Sequence, residues 1–446
     1  MKKDESSFGF RGVVEGFYGK PWDHENRFLA LDFFHRFGMN IYIIGPKNAP
    51  WQRSDWRSDF NNDFLAEAAQ LVHKGVELEI QVTYSISPGL SVCYSNVKDR
   101  EIVLSKFRTL RRLGVTHFCL MWDDIEWELT HDEDIRSYEY IEDAQADFSN
   151  WIYEQLFSDM DYLDFTVCPM IYWGRNSNAY IKQLSLNLNP AINIMWTGRQ
   201  IRSEYLDTSD ASIFEADANR APFYWDNFPV NNLNLRYQLH TGPLQNRDKD
   251  LNEHSVGLVA NPMNQFWASL LPLSTVGKYL NDPKNYEPWK AWEESLAELF
   301  VNPLDRQAAT IFFGAFTNSQ ISNESSPRLR RVLNSALSEI RKSNNGEASN
   351  LLKKEISEIR GSIARINSES FAWPKLKDEI KPWVVKLEIV CSSLNDLADN
   401  LDDSTRLNQT LQATVSRLEA NRYEVFGESV DEFLSELKEL IIGLNS

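Results

Sequence analysis

The sequence contains few cysteines and histidines, and none of them has the spacing of a ligand set. Its four cysteines form no CxxC pair, and its seven histidines include no HxxxH or HExxH motif. Cys119 and Cys168 lie inside apolar, strand-like runs, so we interpret the cysteines as reduced thiols. The GxSxG motif of a nucleophile elbow is also absent. These absences argue against a metal centre, a disulfide scaffold and a serine hydrolase, and we expect no cofactor.

Long apolar runs and an excess of positive charge are missing too. No window approaches the roughly 18 uninterrupted apolar residues of a transmembrane helix, and the charged N-terminus lacks the apolar stretch of a signal peptide. With 46 Lys and Arg against 64 Asp and Glu, the formal net charge is −18, which repels phosphate backbones and anionic membrane surfaces. We therefore expect a cytoplasmic protein with neither nucleic acid nor a membrane as partner, while export by a dedicated secretion system stays open.

Up to about residue 300, short β-rich apolar runs alternate with longer helical patterns. The predicted strands are 12–17, 40–45, 78–84, 116–123, 164–172, 192–198, 222–228 and 256–261, and helices are predicted at 25–37, 64–74, 100–113, 138–157 and 266–280. Eight strand-then-helix repeats in about 280 residues favour an α/β fold, a (β/α)8 TIM barrel over residues 1–300. A doubly wound open sheet is the competing architecture.

The sequence pattern changes at about residue 301. Long helical patterns follow one another at 329–342, 348–366, 374–400 and 404–423, each with apolar residues three and four apart. We therefore expect residues 301–446 to form an all-α helical bundle or stalk, whose charged faces are solvated surface.

Reactive groups in a TIM barrel lie where the strands end, and the fourth run ends in Asp123 and Asp124. Adjacent residues on a regular strand face opposite ways, so both carboxylates reach the barrel mouth only if the strand terminates or bulges there. Taken alone, the pair is better explained as the beginning of a polar loop. Other runs add polar and aromatic groups at or near their ends, namely Lys47, Tyr172, Trp225, Asn227 and Asn261. Carboxylates, amides, a cation and aromatic rings together are typical of a sugar site.

The first strand carries a glycine-rich segment. A phosphate-binding Walker loop is excluded, because Val14 and Pro21 occupy positions where that loop requires Gly and Ser or Thr. We interpret the glycines as allowing close backbone packing around the mouth, with Gly12 leaving room for a ligand.

Several stretches resemble glycoside hydrolase family 84, the O-GlcNAcases and related β-N-acetylglucosaminidases. They are RGVVEGFYGKPW at 11–22, GMN at 38–40, GPK at 45–47, SISPGL at 85–90, DDI at 123–125, WTG at 196–198, WDN at 225–227 and NP at 261–262. The motifs occur in the family's order over residues 11 to about 280. The C-terminal region is similar to the family's helical bundle in type, without a residue motif to match.

The resemblance implies a role for each acid. Asp123 would hold and polarise the 2-acetamido group of the substrate, and Asp124 would act first as general acid and then as general base. The acetamido oxygen would attack the anomeric carbon and form an oxazoline, which is an exception to the usual two-carboxylate scheme. Adjacent like charges push their titrations apart, so one acid could stay ionised while the other keeps a proton. The resemblance also implies that the sugar is held by Gly12, Lys47, Asn227 and Asn261. It further implies that the acetyl methyl is enclosed by Cys168, Tyr172 and Trp225.

The sequence departs from the family pattern at two places. The family usually has an Asp, binding the 4- and 6-hydroxyls of the sugar, where this chain has Asn232. An amide still accepts and donates, but it loses charge-assisted bonds of about 1–2 kcal/mol each, and Asn231 or Asn234 could share the task. Met170 and Ile171 stand where the family often has Thr and Glu. Sugar preference at O4 therefore stays open.

The leading hypothesis is a retaining exo-β-N-acetylglucosaminidase that removes O-GlcNAc from Ser or Thr of proteins, or cleaves small β-GlcNAc glycosides. One alternative is a weak or inactive GlcNAc-binding pseudo-enzyme, motivated by Asn232, with the helical region as an interaction arm. Another is a hyaluronidase-like endo-hexosaminidase, disfavoured because a charge of −18 repels polyuronates unless the cleft is locally basic. An unrelated α/β enzyme with accidental matches would separate Asp124 from Lys47 and Asn227. The resemblance leaves a homodimer through the helical region open.

Overall fold

The structure is a computed structural model that describes residues 7–160, 162–322 and 326–444. Eight parallel strands close into a barrel, with each strand paired to the next and β8 paired to β1. They are β1 Phe10–Glu15, β2 Ile41–Ile44, β3 Gln81–Ile86, β4 His117–Met121, β5 Asp164–Cys168, β6 Ile192–Trp196, β7 Phe223–Asp226 and β8 Gly257–Ala260. Such strands are covered on both faces, which explains their nearly continuous apolar runs. The predicted TIM barrel is confirmed, and the open sheet is wrong.

Each strand except β7 is followed by at least one α-helix, and the segment between β7 and β8, all of which the structure describes, has only two short 3-10 helices, Leu233–Leu235 and Leu251–Glu253. The α-helices are α1 His24–Arg36, α2 Asn62–Glu77, α3 Val97–Arg112, α4 Asp132–Ser137, α5 Ile141–Phe157, α6 Ala179–Asn187, α7 Thr208–Ala218 and α8 Phe266–Asn281. Side chains cap several of them: Asp23 accepts from the backbone N–H of Asn26 at α1, and Asn61 accepts from that of Phe64 at α2. The five predicted helices match α1, α2, α3, α5 and α8.

The barrel interior is filled by side chains from most of the strands. The buried cluster comprises Val14, Ile41, Ile43, Cys119, Met121, Cys168, Met195, Phe223, Trp225 and Val259, with Tyr172 packed against it. Cys168 is the last residue of β5, and Trp225 is the last but one of β7. The cluster therefore reaches the C-terminal end of the barrel. The four cysteines are buried and unbridged.

The chain divides into two compact units. The first comprises residues 1–232, 244–264 and 273–287, and the second comprises 233–243, 265–272 and 288–446. The second contains α9 Pro288–Leu299, α10 Pro303–Phe313, α11 Pro327–Arg341, α12 Asn345–Ile366, α13 Leu376–Asp399, α14 Ser404–Glu419 and α15 Ser429–Leu444. The all-α architecture predicted for the C-terminal region is confirmed. A domain boundary at residue 300 stays a prediction.

Within the second unit, α12 packs against α10, α11 and α13. Leu329, Leu333 and Leu337 of α11 are buried four residues apart, the spacing that places side chains on one face of a helix. Within the described part of the chain, no helix combines the length and apolar composition needed to cross a lipid bilayer.

Candidate active site

The adjacent acids Asp123 and Asp124 lie just beyond the end of β4. The strand ends at Met121, and Asp124 adopts a left-handed backbone conformation with φ of 56°. Outside glycine, this region is visited mainly by Asn and Asp. The strand therefore terminates before the pair, as it must if both carboxylates are to serve one site, and the backbone turns at the second acid.

Asp123 is buried and forms an ion pair with Lys47. Its Oδ2 lies 2.5 Å from Lys47 Nζ, and the two side chains are 6% and 2% exposed. Two charges withdrawn from water to this extent need good geometry and further hydrogen bonds to offset their desolvation. Asp123 Oδ1, however, is buried and has no hydrogen-bond partner among the described residues. Because buried polar atoms are nearly always paired, this oxygen is an acceptor suited to an N–H or O–H group of a ligand.

Asp124 is exposed and held by two phenols. Tyr18 donates to its Oδ2 at 2.7 Å and Tyr172 donates to its Oδ1 at 2.8 Å. Desolvation raises the pKa of the Asp124 carboxyl, but the Lys47 ammonium and the two phenolic hydrogen bonds lower it, and the net pKa lies below its usual value. In the ligand-free protein Asp124 is therefore a carboxylate at neutral pH.

A buried arginine supports the turn that carries both acids. Arg53 Nη1 donates to the backbone carbonyl of Asp123 at 3.2 Å and to Ser87 Oγ at 3.0 Å, while its Nη2 donates to the carbonyl of Asp124 at 2.5 Å. Sequence reasoning did not single out Arg53, which lies in the loop after β2. It also did not single out Tyr18, although this residue directly follows β1 inside a recognised motif, which was the available signal.

Cys168, Tyr172 and Trp225 come together in one apolar cluster. All three belong to the apolar cluster at the end of the barrel or pack against it. Burial, followed by the nearby Asp123 carboxylate, raises the pKa of the Cys168 thiol well above its usual value, so the thiol is neutral. Lys47 Nζ lies 5.5 Å from the Trp225 ring centre, within the range of a cation–π contact. The cluster offers an apolar patch beside the Asp123 carboxylate.

Asn227 and Asn261 form a hydrogen-bonded network next to this patch. Asn227 Oδ1 accepts from Trp225 Nε1 at 3.0 Å and from Asn261 Nδ2 at 2.9 Å. Asn261 Oδ1 accepts from the backbone N–H of Gly16 at 3.2 Å. A Cβ at Gly16 would lie 2.2 Å from the Trp225 ring, so only glycine fits there. The structure thus brings Lys47, Trp225 and the two amides to the same end of the barrel.

Gly12 is not brought to this group. It lies in the middle of β1 and pairs with Ile41 of β2, and a Cβ on it would come 1.8 Å from the Ile41 carbonyl oxygen. Gly16 follows four residues later, about 13 Å further along at the usual rise of a strand. The space that Gly12 leaves is therefore filled by the neighbouring strand, and Gly16 is the glycine that lies beside Trp225 and Asn261.

Asn232 lies in the segment after β7 and is 7% exposed. Its Oδ1 accepts from Arg202 Nη2 at 3.2 Å. The neighbouring Asn231 accepts from the backbone N–H of Asn264 with its Oδ1 at 3.2 Å, so its side-chain oxygen serves the loop after β8. Arg202 was not predicted from the sequence, where nothing distinguishes it from other arginines.

Comparison with known proteins identifies the family. The sequence model of the β-N-acetylglucosaminidase family matches residues 11–314, about two thirds of the chain. The chain belongs to glycoside hydrolase family 84. The resemblance inferred from the motifs is thereby confirmed, and with it the assignment of the protein to the glycoside hydrolases.

The relatives of this family 84 member include curated sequences and a solved structure. The protein O-GlcNAcases of Rattus norvegicus and Mus musculus are each 28% identical over 280 residues, which cover 61% of this chain and 30% of theirs. The chain thus spans less than a third of the length of these curated relatives. The structure of a mutant Thermobaculum terrenum O-GlcNAc hydrolase superposes with a TM-score of 0.89 at 29% identity, covering 97% of this chain and 94% of that one.

Proposed function

We propose that the chain is a retaining exo-β-N-acetylglucosaminidase that acts by substrate-assisted catalysis. The observation that carries this proposal is the unequal environment of two adjacent acids. Asp123 is buried against Lys47 with one oxygen left to accept a hydrogen bond, whereas Asp124 is exposed between two phenols. One acid is suited to hold a substrate group and the other to exchange protons.

In the first step, the acetamido N–H of the sugar donates to Asp123 Oδ1 and its methyl group packs on Cys168, Tyr172 and Trp225. The acetamido oxygen attacks C1 while the bond from C1 to the leaving oxygen breaks. The protonated form of Asp124 transfers its proton to that oxygen. Positive charge develops on the forming oxazoline ring, next to the fixed Asp123 carboxylate, which stabilises it.

In the second step, water attacks C1 and gives its proton to the Asp124 carboxylate. The bond from C1 to the acetamido oxygen breaks, the oxazoline opens, and the product keeps the β configuration because C1 has been inverted twice. The low pKa of Asp124 in the ligand-free protein suits this role of base. The first step needs the acid form, and a substrate that covers the carboxyl excludes water from it and so raises its pKa.

The proposed substrates are β-linked GlcNAc on Ser or Thr of proteins, and small β-GlcNAc glycosides. Support comes from the exposure of Asp124, which leaves space for an aglycone outside the barrel, and from relatives named as O-GlcNAcases. The pseudo-enzyme and the hyaluronidase-like activity remain alternatives that turnover and product analysis separate. A homodimer through the helical region stays a prediction.

The first experiment measures hydrolysis of 4-methylumbelliferyl β-GlcNAc by wild type, Asp123→Asn, Asp124→Asn and Glu126→Gln. The two asparagine variants should lose about 10²- to 10⁴-fold in kcat/KM, the range of general acid–base and electrostatic contributions. Glu126 is an exposed acid in the same loop, so its variant should match wild type. Equal turnover by wild type and Asp124→Asn contradicts the proposal, and binding of the glycoside without turnover by wild type favours the pseudo-enzyme.

A second experiment tests the nucleophile. Substrates whose acetyl group carries one, two or three fluorines have a progressively weaker carbonyl oxygen nucleophile. Substrate-assisted attack predicts that kcat/KM falls stepwise along this series, and proton NMR should show the β anomer formed first. A rate that is insensitive to fluorination would indicate an enzyme nucleophile instead.

A further inference from the structure

Tyr18 belongs to a segment that has no regular secondary structure. The segment lies between the end of β1 at Glu15 and the beginning of α1 at His24. The Tyr18 hydroxyl donates to Asp124, which lies 106 residues further along the chain. Backbone groups outside strands and helices need other partners, and hydrogen bonds weaken steeply with distance and angle. The contact between this phenol and the carboxylate therefore depends on what fixes the backbone around Tyr18.

Two asparagine side chains bind the backbone of this segment. Asn264 Nδ2 donates to the carbonyl oxygen of Tyr18 at 3.0 Å and to the carbonyl oxygen of Lys20 at 3.2 Å. Asn48 Oδ1 accepts from the backbone N–H of Gly19 at 2.7 Å. Three consecutive residues are thus held by two side-chain amides, and we call Asn48 and Asn264 the amide clamp.

The amide clamp fits closely around Gly19. This residue has a φ of 107°, a conformation that favours glycine, and a Cβ on it would lie 2.7 Å from Asn264 Nδ2. The amide is therefore packed against the backbone that it binds. Asn264 is itself fixed, because its backbone N–H donates to Asn231 Oδ1 at 3.2 Å.

The amide clamp holds the segment from both sides of β1. Asn48 follows β2 and Asn264 follows β8, and these two strands are the ones that pair with β1 in the barrel. The backbone N–H of Lys47 also donates to the carbonyl oxygen of Phe17 at 3.3 Å. The backbone of the segment is therefore fixed on either side, while the hydroxyl of Tyr18 reaches an acid that follows β4.

We propose that Asn264 and Asn48 are positioning residues that keep the Tyr18 hydroxyl on Asp124. This inference rests on the proposed function, which assigns the proton transfers to Asp124. Both amides bind the backbone of the segment rather than the acid, so they act through Tyr18. They would thereby control how firmly the acid is held in its ionised form.

Of the groups that face Asp124, the amide clamp holds the Tyr18 phenol. The charged and titratable groups that face this carboxyl are Lys47, Tyr18, Tyr172, Arg53 and Asp123. Desolvation raises the pKa of Asp124, whereas the two cations and the two phenols of this set lower it. A looser clamp weakens the contribution of Tyr18, so the pKa of Asp124 should rise. The alkaline limb of kcat/KM, above which the acid form is lost, should then move to higher pH.

The test follows the pH dependence of kcat/KM for release of GlcNAc from its methyl β-glycoside, whose poor leaving group depends on protonation. Asn264→Ala and Asn48→Ala should each move the alkaline limb up by a fraction of a pH unit. The upper limit is the shift in Tyr18→Phe, about one unit, because that variant loses the whole hydrogen bond. Adding Asn264→Ala to Tyr18→Phe should move the limb no further, since the clamp then has no hydroxyl to position.

Asn281→Ala is the matched control. Asn281 Nδ2 likewise donates to two backbone carbonyl oxygens, those of Phe37 at 2.8 Å and Gly277 at 2.7 Å. It too lies beside a glycine with positive φ, Gly38. These residues lie at the end of α8 and just before β2, away from the strand ends that carry the acids. The variant removes the same kind of contact and should leave the pH profile unchanged.

The outcomes separate a positioning role from a structural one. Thermal unfolding shows how much each amide stabilises the fold, and a purely structural amide changes only this quantity. A lower melting temperature in Asn264→Ala with an unmoved alkaline limb therefore overturns the inference. A limb shift that adds in full to the shift of Tyr18→Phe also overturns it, because the amide would then act by another route. If Asn264→Ala does not fold, Asn48→Ala decides by the same two criteria.

Failure of the inference is distinguishable from failure of the proposed function. If wild type does not cleave the glycoside, the proposed function fails, and carbon-13 NMR of carboxyl-labelled aspartate then measures the pKa of Asp124 in the ligand-free protein. The signal is assigned by its loss in Asp124→Asn. A pKa that rises in Asn264→Ala, but not when Tyr18→Phe is already present, supports the inference. A pKa that Asn264→Ala leaves unchanged overturns it.

Discussion

Replacement of Tyr18 by Phe tests how the protein sets the proton affinity of Asp124. The substitution keeps the ring and removes the hydroxyl that donates to Asp124 Oδ2 at 2.7 Å. This donor stabilises the ionised carboxyl, so its loss raises the pKa of Asp124. A hydrogen bond to a charged group contributes about 1.5–3 kcal/mol, and the exposure of this carboxyl places the effect at or below the lower limit. Since one pKa unit corresponds to about 1.4 kcal/mol, the expected rise is about one unit.

The sign of the effect on activity follows from the first step, which uses the protonated carboxyl. In Tyr18→Phe, Asp124 stays protonated to higher pH, so the alkaline limb of kcat/KM should move up by about one pH unit. The limb of kcat/KM reports the free enzyme, which is the state with this hydrogen bond. The assay should use a β-GlcNAc glycoside with a poor leaving group, because such a group depends on protonation.

The chain offers a matched control in Tyr162, whose hydroxyl donates to Asp164 at the beginning of β5, away from the mouth. Tyr162→Phe removes the same kind of phenol–carboxylate contact and should leave the pH profile unchanged. An unmoved alkaline limb in Tyr18→Phe, or a limb moved to lower pH, would refute the reasoning that the Tyr18 phenol holds down the proton affinity of the catalytic acid.

Three further predictions concern groups outside the reacting pair. Arg53→Met should lower kcat about 10-fold or more with a smaller change in KM, because the turn that presents both acids loses its donors. Arg53→Lys should restore part of the loss, and unaltered kinetics and pH profile in Arg53→Met would show that the turn does not depend on Arg53. Burial lowers the pKa of His117 to about 4, so between about pH 6.5 and 4 the unfolded chain binds a proton that the folded chain does not. The free energy of unfolding should therefore fall by about 3 kcal/mol as the pH drops through this window. Urea unfolding of His117→Gln should lack this pH-dependent loss. Arg247 and Asp226 form a buried ion pair, so Arg247→Met leaves a buried carboxylate without its cation and should lower the free energy of unfolding in urea by about 3–5 kcal/mol. Adding Asp226→Leu should recover much of this loss, and equal losses in the single and double variants would contradict the prediction.

The barrel was predictable because its signal is local and repeated. Buried parallel strands are apolar on both faces, so each strand is visible as a short apolar run, and helices such as α2 show apolar residues on one side. The helices α6 and α7 lacked that signal. Helix α6 has nine residues, and α7 mixes Asp, Ser and Ala with few large apolar side chains, so its helix is apparent only when it is packed against the barrel.

The candidate site was predictable where its residues lie at strand ends, and less so where tertiary contacts decide. Lys47, Asp123 and Trp225 each follow or end a strand, and the structure brings them together. Arg53 acts on backbone carbonyls 70 and 71 residues away, a relation with no trace in local sequence. The distinction between Gly12 and Gly16 likewise depends on where β1 ends and on what approaches each Cα, which spacing alone does not determine.

The two acids are differentiated by their partners rather than by their mutual repulsion. Repulsion between adjacent carboxylates alone would leave one of them protonated, yet the pKa of Asp124 lies below its usual value because Lys47 and two phenols outweigh desolvation. In the ligand-free protein Asp124 is therefore ionised, which is the form that accepts a proton during hydrolysis of the oxazoline. The acid form must arise with bound substrate, since an aglycone over Asp124 excludes water and a sugar ring beside it displaces solvent from the phenols. Proton uptake on binding a substrate analogue is thus a direct consequence of how these residues are arranged, and it links recognition of the glycoside to the protonation that cleaves it.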